Sequence, residues 1–355
     1  MKTSKIIISA ALLLAAVSCQ KFEQGCNLPA VENEAVEYGQ LSVSINPSIT
    51  VTTKGGYTLL DPSEKVVNSA QLLVFKSDGS LARYQSKNNP GQGTISFDSI
   101  TLPVGQYRVY ALLNAKPASG YTLESQVLLE EYSLQDNNDG LVQWAFETCT
   151  VVSGESAECS LEAKRLVARV RLVSVKNNLP AAFGAVTFEN IFLENVVGTM
   201  SIEPPVNPSF LNKYGRADIT NVASMIDGST YQAEAPLMTF RNCSQQIVNN
   251  GTASCDYNLY CFGNTYDVEA PAVSTTFTPC ATKLVLSVSI LGQRYYYPVF
   301  VSTPRTVEEN KTYSIAITLN NLGSSDPSVP VTLSTASVTI TAADWDDGGS
   351  QNLQI

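Results

Sequence analysis

Histidine is missing from all 355 residues of this chain, and that absence excludes more than any residue present. It removes the commonest general base and the commonest metal ligand, and with them triad hydrolysis and histidine-based zinc sites. Cysteine pairs of the C-x-x-C type are missing too, which leaves thiolate zinc weak. No spacing of carboxylates, or of serine with lysine, stands out as a catalytic pair. No cofactor or metal site is expected, and the chain does not read as an enzyme. Basic residues are scarce, 22 against 32 acidic ones, for a net charge of -10. That balance argues against nucleic acid and against an anionic membrane surface as partners. Beyond the first residues no apolar run resembles a membrane helix, and helix signals are few throughout.

The start of the chain is informative. Lys2 and Lys5 precede a short apolar core from Ile6 to Val17, and small residues at Ala16-Val17-Ser18 lead directly to Cys19. This is the anatomy of a lipoprotein signal, although Ala16 stands where leucine is commoner. Residues 1–18 are then a signal peptide, and a lipidated Cys19 is the membrane anchor of an exported protein, as in a Gram-negative bacterium. An ordinary secretory signal with an incidental Cys19 is the alternative.

Export makes disulfides available. Eight cysteines are present, and setting Cys19 aside leaves seven, an odd number. Neighbours in sequence suggest Cys149 with Cys159, Cys243 with Cys255 and Cys261 with Cys280, though connectivity does not follow from spacing.

The body is patterned for strands. Gln71–Lys76 is a compact apolar run, Ser77-Asp78-Gly79-Ser80 supplies turn chemistry, and Leu81–Tyr84 completes a hairpin. Thr94–Ile100 and Gln106–Leu113 follow, broken by Pro103 and Gly105. Farther on, Leu166–Val175, Val186–Val196, Leu284–Ile290, Tyr295–Val301 and Tyr313–Leu319 continue the style. The expected fold class is all-β, as two consecutive antiparallel β-sandwiches of Greek-key, transthyretin-like type. The expected division is a propeptide with a first strand at 19–54, a sandwich at 55–160, a second at 161–330 and a C-terminal segment at 331–355. The loops Lys87–Gly93, Gln135–Gly140 and Ile202–Arg216 read as surface connections without assigned ligands. Asp344, Asp346 and Asp347 lack the spacing and distal glutamate of a calcium loop, and read as a solvated tail after Trp345.

Two end segments are more specific. Leu41, Val43, Ile45, Ile49 and Val51 alternate with serine and threonine, and the run closes at Thr53-Lys54-Gly55-Gly56. It reads as an exposed strand whose end, the Lys54–Gly55 peptide, is open to a trypsin-like protease. At the other end Val331 and Leu333 share one phase and Val338, Ile340 and Ala342 the opposite one, with a kink near Ala336. The polar stretch Asn320–Val329 would let this segment swing free. On pattern alone the favoured reading is an edge strand that is never released and an ordinary C-terminal strand closing its own sandwich.

Taken in order, the signal at Cys19, the run QLLVF with its Asp-Gly turn, LPVGQYRVYALLN, RLVARVRLVSV and the ending SVTITAADW resemble the Bacteroidales fimbrillin family, lipoprotein-derived subunits of type V pili. The resemblance implies a major or stalk-type subunit supporting adhesion: an outer-membrane lipid-anchored precursor whose first strand is cut away by a trypsin-like protease. It then implies an extracellular fimbrium joined by donor strands. Cleavage would follow Lys54, where the family usually has arginine. The donor would be Val331–Ala342, and the partners other copies and related subunits. Loss of Cys26 with the propeptide would leave an even six cysteines. An anchor or tip subunit, or a monomeric surface lipoprotein binding glycan or protein, are the alternatives.

Overall fold

The computed structural model describes residues 36–48, 62–210, 236–241, 243–268, 279–327, 332, 335–345 and 351–354. Cys19, Cys26, Lys54, Gly55, Val331 and Leu333 lie outside them. Glu37–Ile355 forms one compact unit.

The first half holds β1 (Tyr38–Asn46), β2 (Ser69–Lys76), β3 (Leu81–Asn88), β4 (Ile95–Pro103), β5 (Gly105–Leu113), β6 (Tyr132–Ser133), β7 (Gln143–Val151), β8 (Ser156–Glu162) and β9 (Lys164–Arg165). Eight of them form a three-stranded sheet β4-β1-β8 against a five-stranded sheet β3-β2-β5-β7-β9, while β6 pairs with Thr199–Met200 of the second half. The core between them takes Leu41, Phe97 and Leu161 from the first sheet and Leu72, Val109 and Val151 from the second. Gln71–Lys76 is apolar without alternation because both faces of β2 are covered. Leu72 and Val74 enter the core, while Leu73 and Phe75 pack under Val127 of a short helix, Glu124–Leu128. The β2–β3 hairpin turns at Asp78-Gly79, where Gly79 has φ +80° and Ser80 N–H donates to Asp78 Oδ1 at 2.8 Å.

The second half holds β10 (Val167–Asn177), β11 (Val186–Glu194), β12 (Thr199–Met200), β13 (Thr239–Arg241), β14 (Gln246–Ile247), β15 (Thr252–Phe262), β16 (Lys283–Ile290), β17 (Gln293–Phe300), β18 (Lys311–Leu319), β19 (Ala336–Asp344) and β20 (Gln351–Gln354). Sheet β15-β10-β18-β19-β20 packs on sheet β13-β11-β16-β17, with β14 also on β11. The first core runs to Ala163 and the second takes up the chain at Leu166, but the second also draws Tyr132, Leu134, Leu141 and Val142 from the first half.

The all-β reading holds, with one correction: the sheets are mixed. β1 runs parallel to β8, and β10 parallel to β18. In each half an opening strand is inserted beside a closing strand, and a parallel pair needs a long crossover, here supplied by the rest of the sandwich.

Candidate strand-exchange site

β1 is where the expectation needs most revision. It is not an exposed strand but the central one of its sheet, antiparallel to β4 (Leu41 opposite Ile100, Val43 opposite Phe97) and parallel to β8 (Val43 opposite Cys159). It ends at Asn46, and Ile49, Val51 and Thr53 of the expected run lie outside the described residues. Its alternation is realised in full. Leu41, Val43 and Ile45 are at most 1% exposed, while Ser42 and Ser44 stand on the other face half-buried. At about 1.5–3 kcal/mol for each buried aliphatic side chain, the three contribute roughly 5–9 kcal/mol to holding the strand. Gly39 marks the tightest point, since a Cβ there would lie 2.2 Å from the Val152 carbonyl oxygen. The far end is tied by Asn46 Nδ2 donating to Glu162 Oε1 at 2.6 Å and by the backbone N–H of Ser48 donating to Gln143 Oε1 at 2.8 Å.

Removal of β1 would open a slot lined by Ile95, Phe97, Ile100, Leu161 and the facing sheet. Among the described residues β8 has no sheet neighbour except β1. A second tether holds it: the Cys149–Cys159 disulfide joins β8 to β7 of the opposite sheet. This pairing is the one of the three expected from sequence neighbours that forms.

The other two do not: among the described residues Cys243, Cys255, Cys261 and Cys280 form no disulfide. Cys255 and Cys261 sit on β15, in one sheet, whereas the Cys243 N–H donates to the Glu189 carbonyl of β11 and Cys280 leads into β16, strands of the other sheet. Burial pushes the Cys255 thiol up to about 11 and Cys261 up to about 12, so neither ionises readily.

At the C-terminal end, β19 is paired along its whole length with β18, from Ala336 opposite Leu319 to Asp344 opposite Lys311. Ile340 is fully buried, Val338 and Ala342 are half-buried against the same core, and Ser337 and Thr339 are exposed. Ala336 shares their phase and the register with β18 is unbroken from there on, while the N–H groups of Thr335 and Ala336 both donate to the Thr332 carbonyl just before the strand. β20 pairs on its outer side, with Ile340 opposite Leu353.

The stretch before β19 is not a free hinge. Tyr296 and Ser324 exchange backbone hydrogen bonds, the N–H groups of Asn320 and Asn321 both donate to the Thr335 carbonyl, and a Cβ on Gly323 would lie 2.4 Å from the Tyr296 carbonyl oxygen. Of the three aspartates expected to be solvated, Asp344 is exposed and Asp346 and Asp347 lie outside the described residues; Trp345 beside them is buried. It is 6% exposed, stacked on Tyr260 at 6.0 Å, with the guanidinium carbons of Arg165 and Arg169 4.3 and 4.8 Å from its ring centre.

Val338-Thr-Ile-Thr-Ala342 therefore presents the same chemistry as Leu41-Ser-Val-Ser-Ile45, three aliphatic side chains on one face and small hydroxyls on the other. Composition and alternation were legible beforehand; the central position of β1 and the arginine–tryptophan cluster were not. The one available signal for the cluster was Arg165, Arg169 and Arg171 recurring in phase within an apolar strand pattern.

Among the described residues, no group of three His, Cys, Asp or Glu side chains is placed to hold a metal. A cleft of about 680 Å3 lies beside Pro204, Tyr266 and Glu309, and Lys311 on its wall is already paired with Glu308 and Asp344.

No family model matches the chain, and no curated protein sequence does. Solved structures do. A fimbrilin from Porphyromonas gingivalis W83 superposes with a TM-score of 0.61 at 13% identity, covering 86% of this chain and 98% of that one. The tip fimbrial protein Mfa3 from Porphyromonas gingivalis gives 0.51 at 14% identity, over 87% of this chain and 100% of that one. A fimbrial assembly protein from Parabacteroides distasonis gives 0.51 at 10%, over 89% and 99%. Likeness along nearly the whole length, at identities that speak to architecture alone, agrees with the resemblance carried by the sequence motifs: this chain has the fimbrillin fold.

Proposed function

We propose that this protein is a structural subunit of a surface pilus, not an enzyme, made as a precursor lipidated at Cys19 and polymerised by donor-strand exchange in support of adhesion. A trypsin-like protease cuts after Lys54, at the Lys54–Gly55 peptide, and β1 leaves with the propeptide. The strand of a second copy, or of a related subunit, fills the slot through Val338, Ile340 and Ala342, adding main-chain hydrogen bonds to the edges of β4 and β8. The precursor resides at the outer membrane and the product in the extracellular fimbrium. A slot opened without refilling would expose apolar side chains and two strand edges, an association hazard that polymerisation turns to use.

The observation that carries this reading is the placement of β1: a buried central strand whose continuation leads within eight residues of Asn46 to Lys54. Intact mass and N-terminal sequencing of protein sheared from the native cell surface test it, with unheated SDS gels alongside. A start at Gly55 with a heat-labile ladder is the expected result. A lipidated Cys19 start without a ladder refutes it. An anchor or tip subunit is the second reading, favoured by the full pairing of β19 between β18 and β20, and that second outcome would select it.

A further inference from the structure

Ser48 and Glu64 flank the Lys54–Gly55 peptide in sequence, and both reach the same buried cluster in the second half. Arg165 Nη1 donates to Ser48 Oγ at 2.7 Å. Arg169 Nη1 donates to both oxygens of Glu64, at 3.0 and 2.8 Å, and Tyr260 O–H donates to Glu64 Oε1 at 2.6 Å. Glu64 and Arg165 are fully buried and Arg169 is 8% exposed. The indole of Trp345, the residue directly after β19, lies against both guanidinium groups and Tyr260. Asn310 completes the tie: its Oδ1 accepts from Arg165 N–H at 3.0 Å and its carbonyl from Trp345 N–H at 3.0 Å.

We propose that this cluster is a clamp that keeps the C-terminal strand on its own sheet until the propeptide leaves. The inference rests on the strand-exchange reading and adds its regulation. Cleavage between Ser48 and Glu64 divides the clamp's partners: Glu64 stays with the body, and Ser48 departs with β1. Arg165 then loses a hydrogen bond while fully buried, where hydrogen bonds to charged groups are worth most. Its guanidinium is drawn toward the vacated space and the Ser48 site fills with water, so the indole loses its flat cationic support. Trp345 is the first residue beyond β19, so its release frays the strand from the end at which β18 begins. The slot for an incoming strand and the freedom of the outgoing one are thus opened by the same event, and an uncut precursor offers neither.

The test uses the full precursor extracted in detergent, compared uncut, cut and stripped of the released segment, and as the uncut Ser48→Ala variant. Hydrogen exchange of residues 336–345 is followed by mass spectrometry, with β15 as internal reference. The expected result is at least about tenfold faster exchange of 336–345 in the cut protein and in Ser48→Ala, with β15 unchanged, since loss of one hydrogen bond to a buried charge is worth a factor of that size. Equal exchange in all three samples overturns the clamp. If Ser48→Ala does not fold, the cut and uncut comparison decides alone. Polymer ladders are scored separately. Ladders with unchanged exchange sink the clamp and leave strand exchange standing, whereas faster exchange without ladders upholds the clamp and sinks strand exchange by this chain.

Discussion

Replacing both cysteines of the bridge, Cys149→Ser with Cys159→Ser, should separate two roles that coincide in the precursor. The bridge closes a loop with a sequence separation of 10. In the chain-entropy description a loop of that size stabilises the fold by about 3 kcal/mol. Against the 5–15 kcal/mol typical of a folded domain, the uncut variant should stay folded with a lowered urea midpoint. β1 still holds β8 there, in register from Gln40 opposite Ser156 to Asn46 opposite Glu162. Once β1 is gone β8 has no sheet neighbour among the described residues, and without the bridge only the short connection Val152–Glu155 at one end links it to β7 across the sandwich. The processed double variant should therefore lose the slot, giving rapid hydrogen exchange over residues 156–162 and no ladder on unheated gels. A processed double variant that polymerises at the wild-type rate would refute the bracing argument. A precursor that fails to fold would show instead that the bridge is needed for the sandwich itself.

Gly39→Val should destabilise the uncut chain by about 1–3 kcal/mol or more, read from urea melts, because its side chain would meet the Val152 carbonyl and Val151. Ile340→Ala should cost the monomer about 2–5 kcal/mol, since Ile340 is fully buried in its own core, whereas Val338→Ser, at a half-buried site, should cost less and report more directly on polymer stability. Burial raises the carboxyls of Glu194 and Glu309 from 4.5 to about 7. A folded-state value above the unfolded one means that the native state holds a proton the unfolded chain gives up between pH 4.5 and 7. Stability should fall across that window by up to about 3 kcal/mol per group and level off above it, and Glu194→Gln should flatten the slope in denaturation curves taken from pH 4.5 to 8. A thiol reagent should label half-buried Cys243 before Cys255, Cys261 and Cys280, and the last three only on unfolding; early labelling of Cys261 would contradict its placement in the core.

Local chemistry alone determined much of this protein. Alternation in Leu41–Ile45 and Val338–Ala342 dictates strands with one apolar face, because side chains of a strand point alternately to its two sides. Asp78-Gly79 dictates a hairpin, and the absence of histidine narrows the chemistry the chain can do. Those features depend on neighbours in sequence, and they are legible for that reason. Which strands become neighbours depends on contacts between residues far apart in the chain. β1 lies between β4 and β8, partners more than fifty and a hundred residues away, so its buried alternation looks the same in sequence as that of a half-exposed edge strand. Of the three cysteine pairs expected from proximity, only Cys149–Cys159 is bridged among the described residues, and spacing gave no sign of which one it would be. Arg165, 117 residues from Ser48 and far from Trp345, meets both only because the sandwich folds back on itself. Periodicity is a property of the strand; centrality, pairing and the clamp belong to the tertiary fold, which alone brings distant groups within hydrogen-bonding reach.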